Sequence, residues 1–152
     1  MSDEQNTVWL SAEQQRIWRT YLSAVARIND HLNEALRSFH LDLNEYEILV
    51  ALSEAPDHAV RMSELASTVH QSRSRLTHTA ARMEKQGLLE RCRANKDRRG
   101  VLAQLTDRGM ELLVEAAPTH VRSVREALVD VMDPQDYRAL GRAMAAVLAV
   151  RD

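Results

Sequence analysis

Seven apolar residues, Trp18, Tyr21, Val25, Ile28, Leu32, Ala35 and Phe39, recur at alternating spacings of three and four. That spacing is a heptad seam, and it predicts one long helix from about Ser11 to Phe39. Ser11, with Gln14 three residues on, forms the capping box that would start it. Ile17, Leu22 and Leu36 widen the apolar face beyond the seam. A helix apolar on two sides needs more cover than a 152-residue chain offers. The extra face therefore calls for a second copy of the chain.

The rest of the chain reads as short helices around one hairpin. A helix from about Asn44 to Glu54 turns Tyr46, Leu49 and Leu52 inward and stops at Ala55-Pro56-Asp57. Val60-Arg61-Met62 reads as a short strand, and Ser63 as the N-cap of the next helix. His70-Gln71 is a tight connection, Ser72 caps a further helix, and Gly87 suits the left-handed position that ends it. Leu88–Arg93 and Val101–Leu105 read as two strands joined by a polar tip closed by Gly100. Thr106 caps a helix reaching about Val131, which Pro118 should bend. Asp133-Pro134 opens the last helix. Only 4% of residues are aromatic and four are glycine, too few for the turn chemistry of an all-β sandwich. The expected fold is mainly α with a small β-hairpin.

Several function classes find no support. The four glycines make neither a dinucleotide fingerprint nor a phosphate-binding loop, and there is no HExxH or CxxC. The six histidines form no metal-type pair on one helical face, so neither an enzyme, a metal site nor a cofactor is expected. No apolar run approaches the roughly 18 residues of a membrane span, and the acidic, polar N-terminus is unlike a secretory signal. With its single cysteine, Cys92, the chain fits a reducing cytoplasm. Cys92 lies in a hairpin strand, where a small buried side chain is the ordinary reading and a redox switch the alternative.

Charge is distributed unevenly. The net charge is −2, yet residues 61–108 hold eleven Lys/Arg against five Asp/Glu. The remainder holds nine against seventeen. A basic middle with acidic flanks suggests that the middle meets an anion. The two helices there, Ser63–His70 and Ser72–Gln86, have the length and tight connection of a helix-turn-helix, whose second helix enters the DNA major groove. On that helix Leu76, Ala80 and Met83 share the core face. Ser74, Arg75, Thr77, His78, Arg82 and Lys85 lie on the open face, and Arg73 reaches out from its edge. These are donors for bases and phosphates, without a carboxylate among them. A merely solvated face would mix its signs. The hairpin tip adds Lys96, Arg98 and Arg99, suited to a narrow minor groove.

The segment SELASTVHQSRSRLTHTAARMEKQGLLERCRANKDRRGVLAQLTDRG resembles the DNA-binding core of the MarR (multiple antibiotic resistance regulator) family. The marks are SELA, ME-x-x-GLLER, DRRG and LT-x-x-G at this spacing, and the flanking helices follow the family layout. The resemblance implies a winged helix-turn-helix with N- and C-terminal dimerisation helices: residues 1–40, a DNA-binding domain over 41–108, and 109–152. It also implies a homodimeric regulator, repressor or activator, on a pseudo-palindromic operator in double-stranded DNA, often released by a small aromatic or phenolic ligand. The family's DNA contacts fall on Ser72, Arg73, Ser74, Arg75, Thr77, His78 and Arg82, and its wing arginine on Arg98 or Arg99. His78 stands where many members carry Arg or Lys. The family's effector site, between the first helix, the second and the start of the fifth, makes Trp18, Leu22, Tyr46 and Met110 its candidates. The alternatives are an architectural DNA-binding protein and a redox-responsive regulator, neither with a small-molecule effector.

Overall fold

The computed structural model describes residues 8–93 and 100–150. Helix α1 spans Ala12–Leu36 and continues as a 3-10 turn, Arg37–Phe39. Helix α2 spans Leu43–Glu54, strand β1 Ala59–Arg61, α3 Met62–Thr68 and α4 Arg73–Lys85. Strands β2 (Leu89–Arg93) and β3 (Val101–Leu105) follow, then α5 (Asp107–Val124) and α6 (Pro134–Ala149). The sheet is antiparallel with order β1-β3-β2; Val60 pairs with Ala103 and Arg91 with the same residue from the other side. This is the mainly α, winged helix-turn-helix arrangement read from the sequence.

Most helix starts are set by side chains that satisfy orphan N–H groups. The Ser11–Gln14 capping box is formed in both directions. Ser72 Oγ accepts from Arg75 N at 3.2 Å, Thr106 Oγ1 from Gly109 N at 3.0 Å, and Asp133 Oδ1 from Gln135 N at 2.8 Å. Gly87, at φ 74°, closes α4: its N–H bonds Glu84 O, and Leu88 N bonds Met83 O. That pair of bonds is the Schellman arrangement, and it needs the left-handed backbone that glycine adopts freely.

Two boundaries differ from the sequence reading. Ser63 is not a cap; α3 starts at Met62, and Arg61 precedes it without a capping side chain. Pairing of Arg61 with Leu102 holds the chain extended up to the helix, so the strand itself sets the entry. Pro118 is accommodated within α5, and the departure from α-geometry comes later, as a π-helical stretch at Arg125–Val129.

The core gathers around α2 and α4. Leu36, Ile48, Leu49, Leu52, Leu65, Leu76, Met83 and Leu89 are fully enclosed. Leu113 and Ala116 of α5 join the same cluster, so the C-terminal half of α1 and the N-terminal half of α5 brace the winged unit. The opposite ends are bare. All of residues 8–24 are exposed, and α6 buries no residue. Among the described residues no helix is long and apolar enough to cross a membrane.

Candidate nucleic-acid interface

The connection between α3 and α4 is short because His70 takes a left-handed conformation (φ 53°) and Gln71 N returns to Ala66 O at 2.9 Å. This fixes the angle at which α4 leaves the core. Leu76, Thr79, Ala80 and Met83 are buried beneath it. Ser72, Arg73, Ser74, Arg75, Thr77 and His78 are exposed at its N-terminal end, with Arg82 and Lys85 further along. Thr77 and Thr79 bond back to the carbonyls of Arg73 and Arg75, which fixes their rotamers. The structure thus brings the expected α4 residues onto one surface. Lys96, Arg98 and Arg99 lie outside the described residues.

The helix's one carboxylate is neutralised. Glu84 accepts from the Arg91 side chain at 2.8 and 3.1 Å and from Arg91 N at 3.0 Å. Those bonds, the side-chain pair foremost, hold Glu84 below the usual carboxylate range. The same contact ties α4 to β2.

A second ion-pair system was not visible in the sequence. Glu45, 3% exposed, accepts from Arg82 Nε at 2.8 Å, and Asp42 Oδ2 lies 3.4 Å from Arg82. The hydrogen bond that Arg82 donates to Glu45 is the main cause that raises the Arg82 pKa. Asp42 and Glu45 also form the capping box of α2, and Asn33 of α1 accepts from Leu43 N at 2.8 Å. Partners 37 and 40 positions apart carry no periodic signal in a sequence.

The four candidate effector residues do not form one pocket. Trp18, 51% exposed, stacks on Tyr21 in an open apolar groove of about 570 Å³ with Leu10, Ile17, Met144 and Val147, between α1 and α6. Leu22 is exposed on α1, and Met110 packs half-buried against the core. Tyr46 is buried beside a separate cavity of about 400 Å³, bounded by Glu47, Val50, Thr68, Val69 and His120. The length of α1 explains the separation: Trp18 stands roughly 27 Å along the axis from Leu36, where that helix joins the core. His120 was missed by the sequence reading. Its ring lies 4.2 Å from that of Tyr46, and its buried Nδ1 finds no hydrogen-bond partner among the described residues. Burial lowers the His120 pKa and raises those of Tyr46 and Glu47. Cys92 is exposed rather than buried, because it sits on the open side of an edge strand.

Residues 41–100 match the sequence profile of the MarR family. Over 93% of its length the chain superposes on AbsC, a MarR family transcriptional regulator from Streptomyces coelicolor, with 41% identity, a TM-score of 0.88 and 96% of that chain covered. The chain belongs to the MarR family. Sco3205, a MarR family regulator from the same organism solved in complex with DNA, is 40% identical with a TM-score of 0.90, over 95% of this chain and 91% of that one. Among curated proteins, the transcriptional repressor MprA of Escherichia coli is 30% identical over 93 residues, 61% of this chain. The match spans 53% of MprA, about half the length of that relative.

Proposed function

We propose that this MarR family member is a sequence-specific DNA-binding transcriptional regulator that acts as a homodimeric repressor. The observation that carries the reading is the N-terminal face of α4, where six exposed donor residues, Ser72, Arg73, Ser74, Arg75, Thr77 and His78, stand together with no carboxylate. Residues 41–108 would carry the DNA contacts, with α4 in the major groove and Lys96, Arg98 and Arg99 at the minor groove. The flanking helices would pair two chains. Support comes from the relatives: Sco3205 is described bound to DNA, and MprA is named a repressor. Selection from a random-sequence library should return a pseudo-palindrome with half-sites one helical turn, about 34–36 Å, apart. Recovery of unrelated sequences would leave an architectural role.

The repressor is released by a planar phenol or aromatic carboxylate seated in the cavity of about 400 Å³ beside Tyr46 and His120. Val50, Val69 and the Tyr46–His120 ring pair bound this cavity, a lining suited to a planar apolar body, and His120 carries a ring nitrogen without a hydrogen-bond partner among the described residues. An aromatic acid should weaken operator binding by wild type in fluorescence anisotropy, and His120→Ala should blunt that response while leaving ligand-free affinity within about threefold. If no compound of this class changes affinity, the effector reading fails while DNA binding stands.

A further inference from the structure

We infer that Arg82 is a positioning residue that completes the N-terminal cap of α2 and sets the roll of the recognition helix, rather than a DNA contact. The inference rests on the DNA-binding reading above. Each of the two carboxylates in the α2 capping box, Asp42 and Glu45, divides its oxygens between two tasks. Asp42 Oδ1 accepts from Glu45 N at 2.8 Å, and Glu45 Oε2 accepts from Asp42 N at 2.9 Å. The two remaining oxygens, Asp42 Oδ2 and Glu45 Oε1, are the ones that Arg82 engages, through different nitrogens of its planar fork. All four carboxylate oxygens are thus used, and the guanidinium is held from two directions.

Three further facts set its role apart from base reading. Glu45 is buried, so Arg82 compensates a carboxylate that has little water around it. Arg82 sits in the last turns of α4, roughly 10 Å along the axis from Arg75, whereas base contacts of such helices come from the N-terminal end. Asn33 fastens the same end of α2 to α1 by accepting from Leu43 N. A continuous polar chain therefore runs from α1 through the start of α2 to α4. Pulling Arg82 onto a phosphate would leave Glu45 buried without its cation.

The test uses the full-length protein and its selected operator, titrated by anisotropy across a salt series. Arg82→Ala should lower operator affinity on the order of tenfold and reduce discrimination against random DNA, with an unchanged salt slope. Glu45→Gln removes a negative charge that cannot touch DNA; it should lower discrimination as well, and combining it with Arg82→Ala should add little further loss. Arg82→Lys keeps the charge but not the two-pronged geometry, so it should resemble Arg82→Ala. A salt slope shallowed by about 0.9 in Arg82→Ala, with full rescue by Arg82→Lys and no effect of Glu45→Gln, would make Arg82 a phosphate contact and overturn the inference. Failure of wild type to bind any sequence selectively would overturn the DNA-binding reading and this inference together, so the two failures are distinct.

Discussion

Ile17→Glu combined with Leu148→Glu should turn a dimer into monomers and lower operator affinity by about two to four orders of magnitude. The reason lies in what one chain leaves uncovered. Ile17 is 63% and Leu148 81% exposed, and Trp9, Leu10, Trp18, Leu22, Val147 and Val150 are open beside them in sequence. Isolated exposed apolar residues are ordinary, but a groove lined by Leu10, Ile17, Trp18, Tyr21, Met144 and Val147 is contiguous and marks an interaction surface. A carboxylate placed there must be desolvated whenever two such faces meet. Neither residue belongs to the core formed by Leu49, Leu76 and Met83, so the winged unit should stay folded by circular dichroism. The affinity loss follows because a monomer reaches only one half-site, and the second contact ceases to be intramolecular. Sedimentation at micromolar concentration reads the first part and anisotropy the second. A wild-type monomer, or a double variant that keeps both dimer and affinity, would contradict the prediction.

Gly109→Ala should destabilise the fold by about 3 kcal/mol or more, lowering the melting temperature by roughly 10 °C. A Cβ at this position would overlap the carbonyl oxygen of Leu88 and stand 2.7 Å from Leu105 Cδ1. The carbonyl cannot simply retreat. Leu88 O accepts from Thr106 N at 3.2 Å, and Thr106 Oγ1 donates to Gly87 O at 2.6 Å. The first turn of α5 is therefore pressed onto the turn that ends α4, and the α4 Schellman bonds would have to give as well. Thermal or denaturant unfolding measures the loss, and a variant within about 0.5 kcal/mol of wild type would mean that this junction is looser than described.

What the sequence made legible follows the range of the interactions concerned. Ser11, Ser72, Gly87, Thr106 and Asp133 act within a few residues of themselves, and each was readable as a helix start or stop. The amphipathic split of α4 was equally readable, because a helix wheel needs only spacing. Ser63 has the local pattern of another cap, but the strand pairing that extends Arg61 comes from Leu102, 41 positions away. The ion pairs of Arg82 were hidden for the same reason: its wheel position is open, and only the folded chain brings Asp42 and Glu45 to it. The heptad seam of α1 likewise hid a division. Leu32 and Leu36 are covered within the chain, while Ile17, Trp18 and Tyr21 are left for something else. The family layout implies one pocket for Trp18 and Tyr46, whereas in the fold Tyr46 meets His120, and nothing in local spacing predicts that ring pair.

The central claim is that the N-terminal face of α4 reads base sequence. It is tested most directly by titrating wild type and Arg75→Ala, by fluorescence anisotropy, against the selected operator and its single-base variants at two salt concentrations. The account predicts that Arg75→Ala loses roughly 1–3 kcal/mol of discrimination at one base pair in each half-site and keeps its preferences elsewhere. Identical base preferences in wild type and Arg75→Ala, or a wild type that binds every variant equally, would contradict it.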